Sequence, residues 1–251
     1  MTQINRAEIK ETAKSYLRSP LIGGLMGVVG IYLACIFVGG FVPGLNMLIS
    51  FASIILAINL ERYNYAVRIT GTPQPVGKLF DFDDIWRHIC GKLWTCLMMW
   101  PAYALIIGGT ILMFIGIPVS VVAAEQESAA MIVGILLTII GYLVTMASVP
   151  LSIILSFNYV LTTYILIDNP QMKAKEAVML SKQLMKGHKA EWFMMLLSFL
   201  GWDLLTSLTF GILSIYTMPY KLQTQIGYYL AYKNNAQQNQ FGQTTVVDNN
   251  V

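Results

Sequence analysis

The chain has 251 residues, 56% of them hydrophobic and only 12% charged, with a formal net charge of +3. Soluble domains carry about 25% charged residues, so a water-soluble globule of this composition lacks the polar surface it would need. The small positive balance is also no footprint for nucleic acid. Mean hydropathy is +0.61, and apolar runs of about 20 residues recur, each enough to cross about 30 Å of hydrocarbon.

Residues 5–18 read as a short amphipathic helix carrying Arg6, Lys10, Lys14 and Arg18. The first apolar run spans 21–42. It follows a polar stretch and is longer than a signal-peptide core, so it is expected to stay in the membrane. Pro43-Gly44 makes a turn into a short second span, 45–61, which ends at Glu61-Arg62. Residues 80–92 look like an interfacial helix capped by Asp83 or Asp84. The third span is 93–123. A loop with Glu125 and Glu127 leads to a fourth, 130–167, expected to be one overlong helix bent at Pro150. The third and fourth spans are expected to form an extended hairpin. Asn169 is placed as the N-cap of the next helix, with Pro170 as its first residue and Gly187 just past its end. That helix is expected to lie along the inner membrane surface. The fifth span covers 191–214 and the sixth, the most polar, 219–232. The tail from 234 to 251 is polar and low in complexity, and is expected to be disordered.

The predicted fold is therefore all-α: a polytopic transmembrane bundle of about six spans, a single membrane domain over residues 1–233, with amphipathic helices on the cytoplasmic surface. The positive residues orient it. Arg6 to Arg18 precede span 1. Arg62, Arg68, Lys78, Arg87 and Lys92 separate spans 2 and 3, and Lys173, Lys175, Lys182, Lys186 and Lys189 separate spans 4 and 5. Lys233 follows span 6. This places both termini in the cytoplasm. Lys221 is the exception, near the outer end of the last span.

Asp203 is the most informative residue for chemistry. It sits near the middle of span 5, where a carboxylate costs about 2.5–3.5 kcal/mol. It is read either as a proton or cation site or as a hydrogen-bonded contact between helices near Asn158, Tyr142 or Tyr103. Lys221 is its tempting partner, but a turn near 214–218 places Lys221 some 10 Å closer to the outer surface. The five lysines from Lys173 to Lys189 are candidate contacts for anionic lipid headgroups. Gly23 and Gly27 have the spacing of a close helix contact. Asp81, Asp83 and Asp84 read as helix caps, His88 and His188 as interfacial residues, and Trp86, Trp94, Trp100, Trp192 and the tyrosines around 216–232 as a membrane-interface belt. Cys35, Cys90 and Cys96 read as small buried hydrophobes. No catalytic, cofactor or metal site is expected.

From Asp168 onward the chain resembles a bacterial integral-membrane family called domain of unknown function 975. The likeness rests on Asp168-Asn169-Pro170 and Glu176-Ala177, then on Ser181-Lys182, Leu184-Met185 and Gly187-His188-Lys189. It continues through Leu197-Ser198-Phe199, Gly201-Trp202, Gly211-Ile212, Pro219-Tyr220 and Tyr228-Tyr229. The fourth span departs from the family pattern: Val149-Pro150-Leu151 lacks the usual glycine. The resemblance implies a multi-pass plasma-membrane protein of Gram-positive-type bacteria, and it brings no activity with it. The leading expectation is a non-enzymatic scaffold or accessory protein. Its partners would be the lipid bilayer, anionic lipids, and other membrane proteins or a second copy of the chain. The alternative is a small-solute or ion transporter or channel using Asp203.

Overall fold

The computed structural model of the chain describes residues 5–19, 21–40, 46–125 and 129–248, with side-chain detail outside 22, 35–40, 46–51, 125 and 239–248. The turn at Pro43-Gly44, the loop residue Glu127, the Cys35 side chain and the last three residues lie outside the described set. The described residues form helices and turns, with no strand among them. In order the helices are α1 (Arg6–Arg18), α2 (Ile22–Gly40), α3 (Asn46–Thr70), α4 (Ile85–Met98), α5 (Trp100–Glu125), α6 (Ala130–Ser156), α7 (Thr162–Asp168), α8 (Ala174–Leu184), α9 (Lys189–Leu208) and α10 (Ser214–Asp248). The chain divides into two compact units: residues 1–91 with 161–251, and residues Lys92–Val160.

The second unit is built on the α5–α6 hairpin. Its seam follows from a seven-residue repeat of small residues, Ala102, Gly109, Gly116 and Ala123 on α5 and Gly134, Gly141 and Ser148 on α6, all buried. A heptad spacing keeps one face of a helix turned toward its partner. With hydrogen in place of a side chain, the backbones touch. A Cβ at Gly141 would sit 2.6 Å from the Gly109 carbonyl oxygen, and one at Gly116 would sit 2.7 Å from that of Gly134. Gly109 therefore faces Gly141, and Gly116 faces Gly134, which fixes the antiparallel register. The hydroxyls of Thr138 and Thr145 donate within α6 to the carbonyls of Gly134 and Gly141, at 2.9 Å each, so neither presents a bare polar group.

The remaining surface of this hairpin is apolar. Ile107, Phe114, Ile132, Leu136, Ile140 and Leu143 are all exposed. Residues Trp100–Ala124 and Ala130–Asp168 are long and apolar enough to cross a membrane, and only 11% of each helix's most apolar stretch is buried within the chain. Lipid tails are the medium such a surface fits.

The break in the fourth apolar segment falls where the sequence does not signal it. Pro150 lies inside an unbroken α6, because neighbouring turns can absorb a proline in a membrane helix. The chain instead tightens into a 3-10 turn at Phe157–Tyr159 before α7, whose residues Thr162 to Leu166 are buried in the first unit. The end of the 39-residue segment thus packs on protein rather than on lipid.

The first unit is organised around α3, which continues to Thr70, well past the expected end at 61. Its polar half is used internally. Asn59 donates to the carbonyls of Leu79 and Asp81, both at 2.9 Å, and the Tyr63 hydroxyl donates to the Gln74 carbonyl at 3.0 Å. Arg62 donates to the Asp83 carbonyl at 3.0 Å. These bonds hold the 71–84 loop. Leu25, Val28, Val29, Leu60, Val67 and Leu79 close the core beneath it, each contributing about 1.5–3 kcal/mol if buried from water. The Gly23 and Gly27 spacing is not used as expected: a Cβ at either meets no described atom within 4 Å. Gly24 is the crowded one, its Cβ position 3.1 Å from the Tyr63 hydroxyl.

Helix α8 begins at Ala174, and the Lys173 N–H donates to Glu176 Oε2 at 3.4 Å. Asn169 is not its N-cap. It ends α7 instead, with its amide donating back to the Ile165 carbonyl at 3.1 Å. Arg87 of α4 supplies the reason. Its guanidinium donates to the carbonyls of Leu166 at 3.1 Å, Asn169 at 2.9 Å and Pro170. A cation thereby satisfies the free carbonyls of the α7 C-terminus, and the long-range contact overrides the local N-cap preference. Gly187 takes the positive φ of 90° expected after the end of α8. Helix α10 continues through Asp248, beyond 232 where the sequence places the end of the sixth span.

Candidate functional site

Charged and amide side chains on apolar helices are the places where chemistry or partner binding is expected, and those of α10 meet partners from other helices. Lys221 Nζ lies 3.0 and 3.3 Å from the two carboxylate oxygens of Asp203 on α9. The depth argument that kept them apart fails because α9 ends early, at Leu208. The turn spans 209–213, with Phe210 at φ 51° and Gly211 at φ 86°. Asp203 then stands about 8 Å and Lys221 about 10 Å from that turn. The side chains are 50% and 31% exposed, on a face with exposed Leu200, Leu204 and Leu208. The Lys221 ammonium also lies 6.0 Å from the buried Phe199 ring, near enough for a cation–π contact. Asn158, in the unit Lys92–Val160, donates to the Leu155 carbonyl at 3.0 Å. Tyr103 and Tyr142 are exposed on that same unit.

Two amides of α10, Gln223 and Gln225, also meet partners on other helices. Gln223 donates to the Asn64 carbonyl at 3.0 Å, with both residues fully buried. Gln225 Oε1 accepts from the Tyr164 hydroxyl at 3.1 Å.

A second polar centre escaped the sequence reading. Asp168 closes α7 and accepts from the Tyr65 hydroxyl at 2.8 Å, the Tyr229 hydroxyl at 2.9 Å and the Lys233 ammonium. Tyr65, Tyr164 and Tyr229 stack around it with ring centroids 5.9 to 6.5 Å apart. One carboxylate thus ties α3, α7 and α10 together. A phenol keeps its proton at neutral pH, so Tyr65 stands as a donor to this carboxylate. A signal was available: Asp168 is an acid that ends a long apolar run.

Of the five lysines on and around α8, Lys173, Lys175, Lys182 and Lys186 are exposed and Lys189, the first residue of α9, is half-buried, while Ala177, Val178, Ser181 and Met185 are buried. Other surface assignments are corrected. His88 is 3% exposed and Trp192 is 1% exposed, so neither lies at an interface with solvent. His188 is half-buried, stacked on Tyr232 at 4.3 Å, with Nδ1 3.1 Å from Glu191 Oε2. Cys96 is exposed and Cys90 half-buried, rather than both buried. Asp84 adopts a positive φ of 58° and pairs with Arg87 at 3.8 Å, and Asp81 accepts the Asp83 N–H at 2.9 Å.

The described residues are all-helical, with two helices long and apolar enough to cross a membrane, and Asp203 and Asp168 are each paired to a lysine. The chain belongs to the family described as protein of unknown function (DUF975), whose model matches residues 1–236. No curated protein and no solved structure matches it.

Proposed function

We propose that the protein is a six-span accessory or scaffold protein of the bacterial plasma membrane, with both termini cytoplasmic, which packs with lipids or other envelope proteins and catalyses no reaction. One observation carries this reading. Two acids in or closing apolar segments are each held by a lysine of α10: Asp203 by Lys221 and Asp168 by Lys233. A carboxylate that carries a cation or proton must be able to release its partner and meet water. These are instead neutralised from within the chain, and ion pairing is how polar groups are tolerated at membrane depth. The helix count rests on α2, α3, α5, α6, α9 and α10, and the orientation on the positive loops. The lysine-rich face of α8 then meets the inner headgroups.

Transport through Asp203 is the second reading, favoured by the partial exposure of its pair. The two are separated by reconstituting the whole chain in liposomes under an imposed membrane potential. The expected result is no proton or monovalent-cation flux above protein-free vesicles. A flux that Asp203→Asn abolishes would overturn the scaffold reading.

A further inference from the structure

We infer that the polar face of α1 holds a phosphate-bearing anion, the headgroup of an anionic glycerophospholipid, between Lys10, Lys14 and Arg18. The inference rests on the membrane reading above and adds to it a defined lipid site. A cavity of about 650 Å³ lies along this face, lined by these cations together with Glu11, Ser15 and Ser19. That is within the range of about 300–1,000 Å³ common for small-ligand sites.

The charge arrangement asks for an anion. Arg6, Lys10, Lys14 and Arg18 recur every four residues, which stacks them on one side of a helix, where like charges repel. Among the described residues none of the three lining cations forms an ion pair. Partial burial and the neighbouring Lys14 hold the Lys10 ammonium below its usual value. A bound phosphate relieves that repulsion and accepts charge-assisted hydrogen bonds.

The helix is fixed so that this face cannot turn away. Ala13 and Leu17 are buried on the side adjoining it, and the Tyr16 hydroxyl donates to the Arg68 carbonyl at 3.1 Å. The Lys10 ammonium lies 5.5 Å from the Phe199 ring of α9, which places the basic end of the groove beside an apolar helix. A headgroup would meet the cations while its acyl chains follow that helix.

The test uses the whole chain in phosphatidylcholine nanodiscs containing a trace of spin-labelled phosphatidylglycerol, with the immobilised lipid fraction as readout. The native chain should retain phosphatidylglycerol in preference to equally labelled phosphatidylcholine. At about fivefold per cation, the Lys10→Gln, Lys14→Gln, Arg18→Gln triple variant should lose about 100-fold of that preference. Ser15→Glu, at an exposed position that alters no core contact, should do the same by placing an anion in the groove. The triple variant Lys173→Gln, Lys175→Gln, Lys182→Gln should keep most of it. Displacement of the lipid by millimolar inorganic phosphate would keep the anion site and overturn the lipid as its source. A preference unchanged by both α1 variants overturns the inference. Failure of the native chain to enter the nanodiscs would instead overturn the membrane reading.

Discussion

Gly109→Ala will splay the α5–α6 hairpin, while Gly108→Ala will leave it intact. The substitutions are chemically identical and adjacent, and both trade glycine for a better helix former, worth about 0.5–1 kcal/mol in a helix interior. They differ in what the new methyl group meets. At Gly108 it meets nothing within 4 Å. At Gly109 it would sit 2.4 Å from Thr145 Oγ1, 2.9 Å from the Gly141 carbonyl oxygen and 3.0 Å from the Thr145 nitrogen. The last two are backbone atoms, so no rotamer change relieves the overlap, and the helices must separate along the seam. Overpacking typically costs about 1–3 kcal/mol, and backbone against backbone belongs at or above the top of that range. In lipid, helix association depends on close packing, with little hydrophobic drive to replace it. Thermal denaturation in mild detergent, followed by size-exclusion, should show a large loss of stability for Gly109→Ala. Gly108→Ala should match or exceed the native chain. Equal behaviour of the two variants would remove the glycine seam from the account.

Asp168→Ala will be the most damaging single change in the first unit. It deletes the shared acceptor of Tyr65, Tyr229 and Lys233 and leaves two phenols and an ammonium without that partner. Each orphaned buried donor costs about 1–3 kcal/mol. Lys233 is 35% exposed, so water recovers much of its loss. A net cost of about 3 kcal/mol is therefore expected, mostly from the phenols. The control is the double variant Tyr65→Phe, Tyr229→Phe, which removes donors instead of the acceptor. It should cost less than Asp168→Ala, because a carboxylate paired with Lys233 remains satisfied. The same detergent melting assay checks both. An Asp168→Ala protein as stable as the double variant would mean that the carboxylate is not the knot.

The long apolar segments were legible because their length and composition alone mark helices able to cross a membrane. What was not legible lies in contacts between distant positions. Asn64 and Gln223 stand 159 residues apart, and no local pattern pairs them, so Lys221, Gln223 and Gln225 read as a weak span rather than as residues with partners on other helices. Asn169 looked like an N-cap because its local sequence favours one, and Arg87, 82 residues away, decided otherwise. Asp203 and Lys221 were kept apart by an error of a few residues in the position of one turn, which at about 1.5 Å per residue moved Lys221 well off its true depth. The small-residue heptads of α5 and α6 were visible in the sequence. They went unread because the shorter Gly23–Gly27 spacing carried the more familiar signal.

The scaffold reading stands or falls on whether water reaches Asp203 on α9. The direct measurement is labelling of Asp203→Cys by a membrane-impermeant thiol reagent in intact cells, in a background with Cys35, Cys90 and Cys96 replaced. The account predicts no labelling in a folded, inserted protein until the membrane is dissolved, since α9 presents this position to lipid or to a partner helix. Rapid labelling in intact membranes would mean a hydrated path to the Asp203–Lys221 pair and would put transport in place of the scaffold.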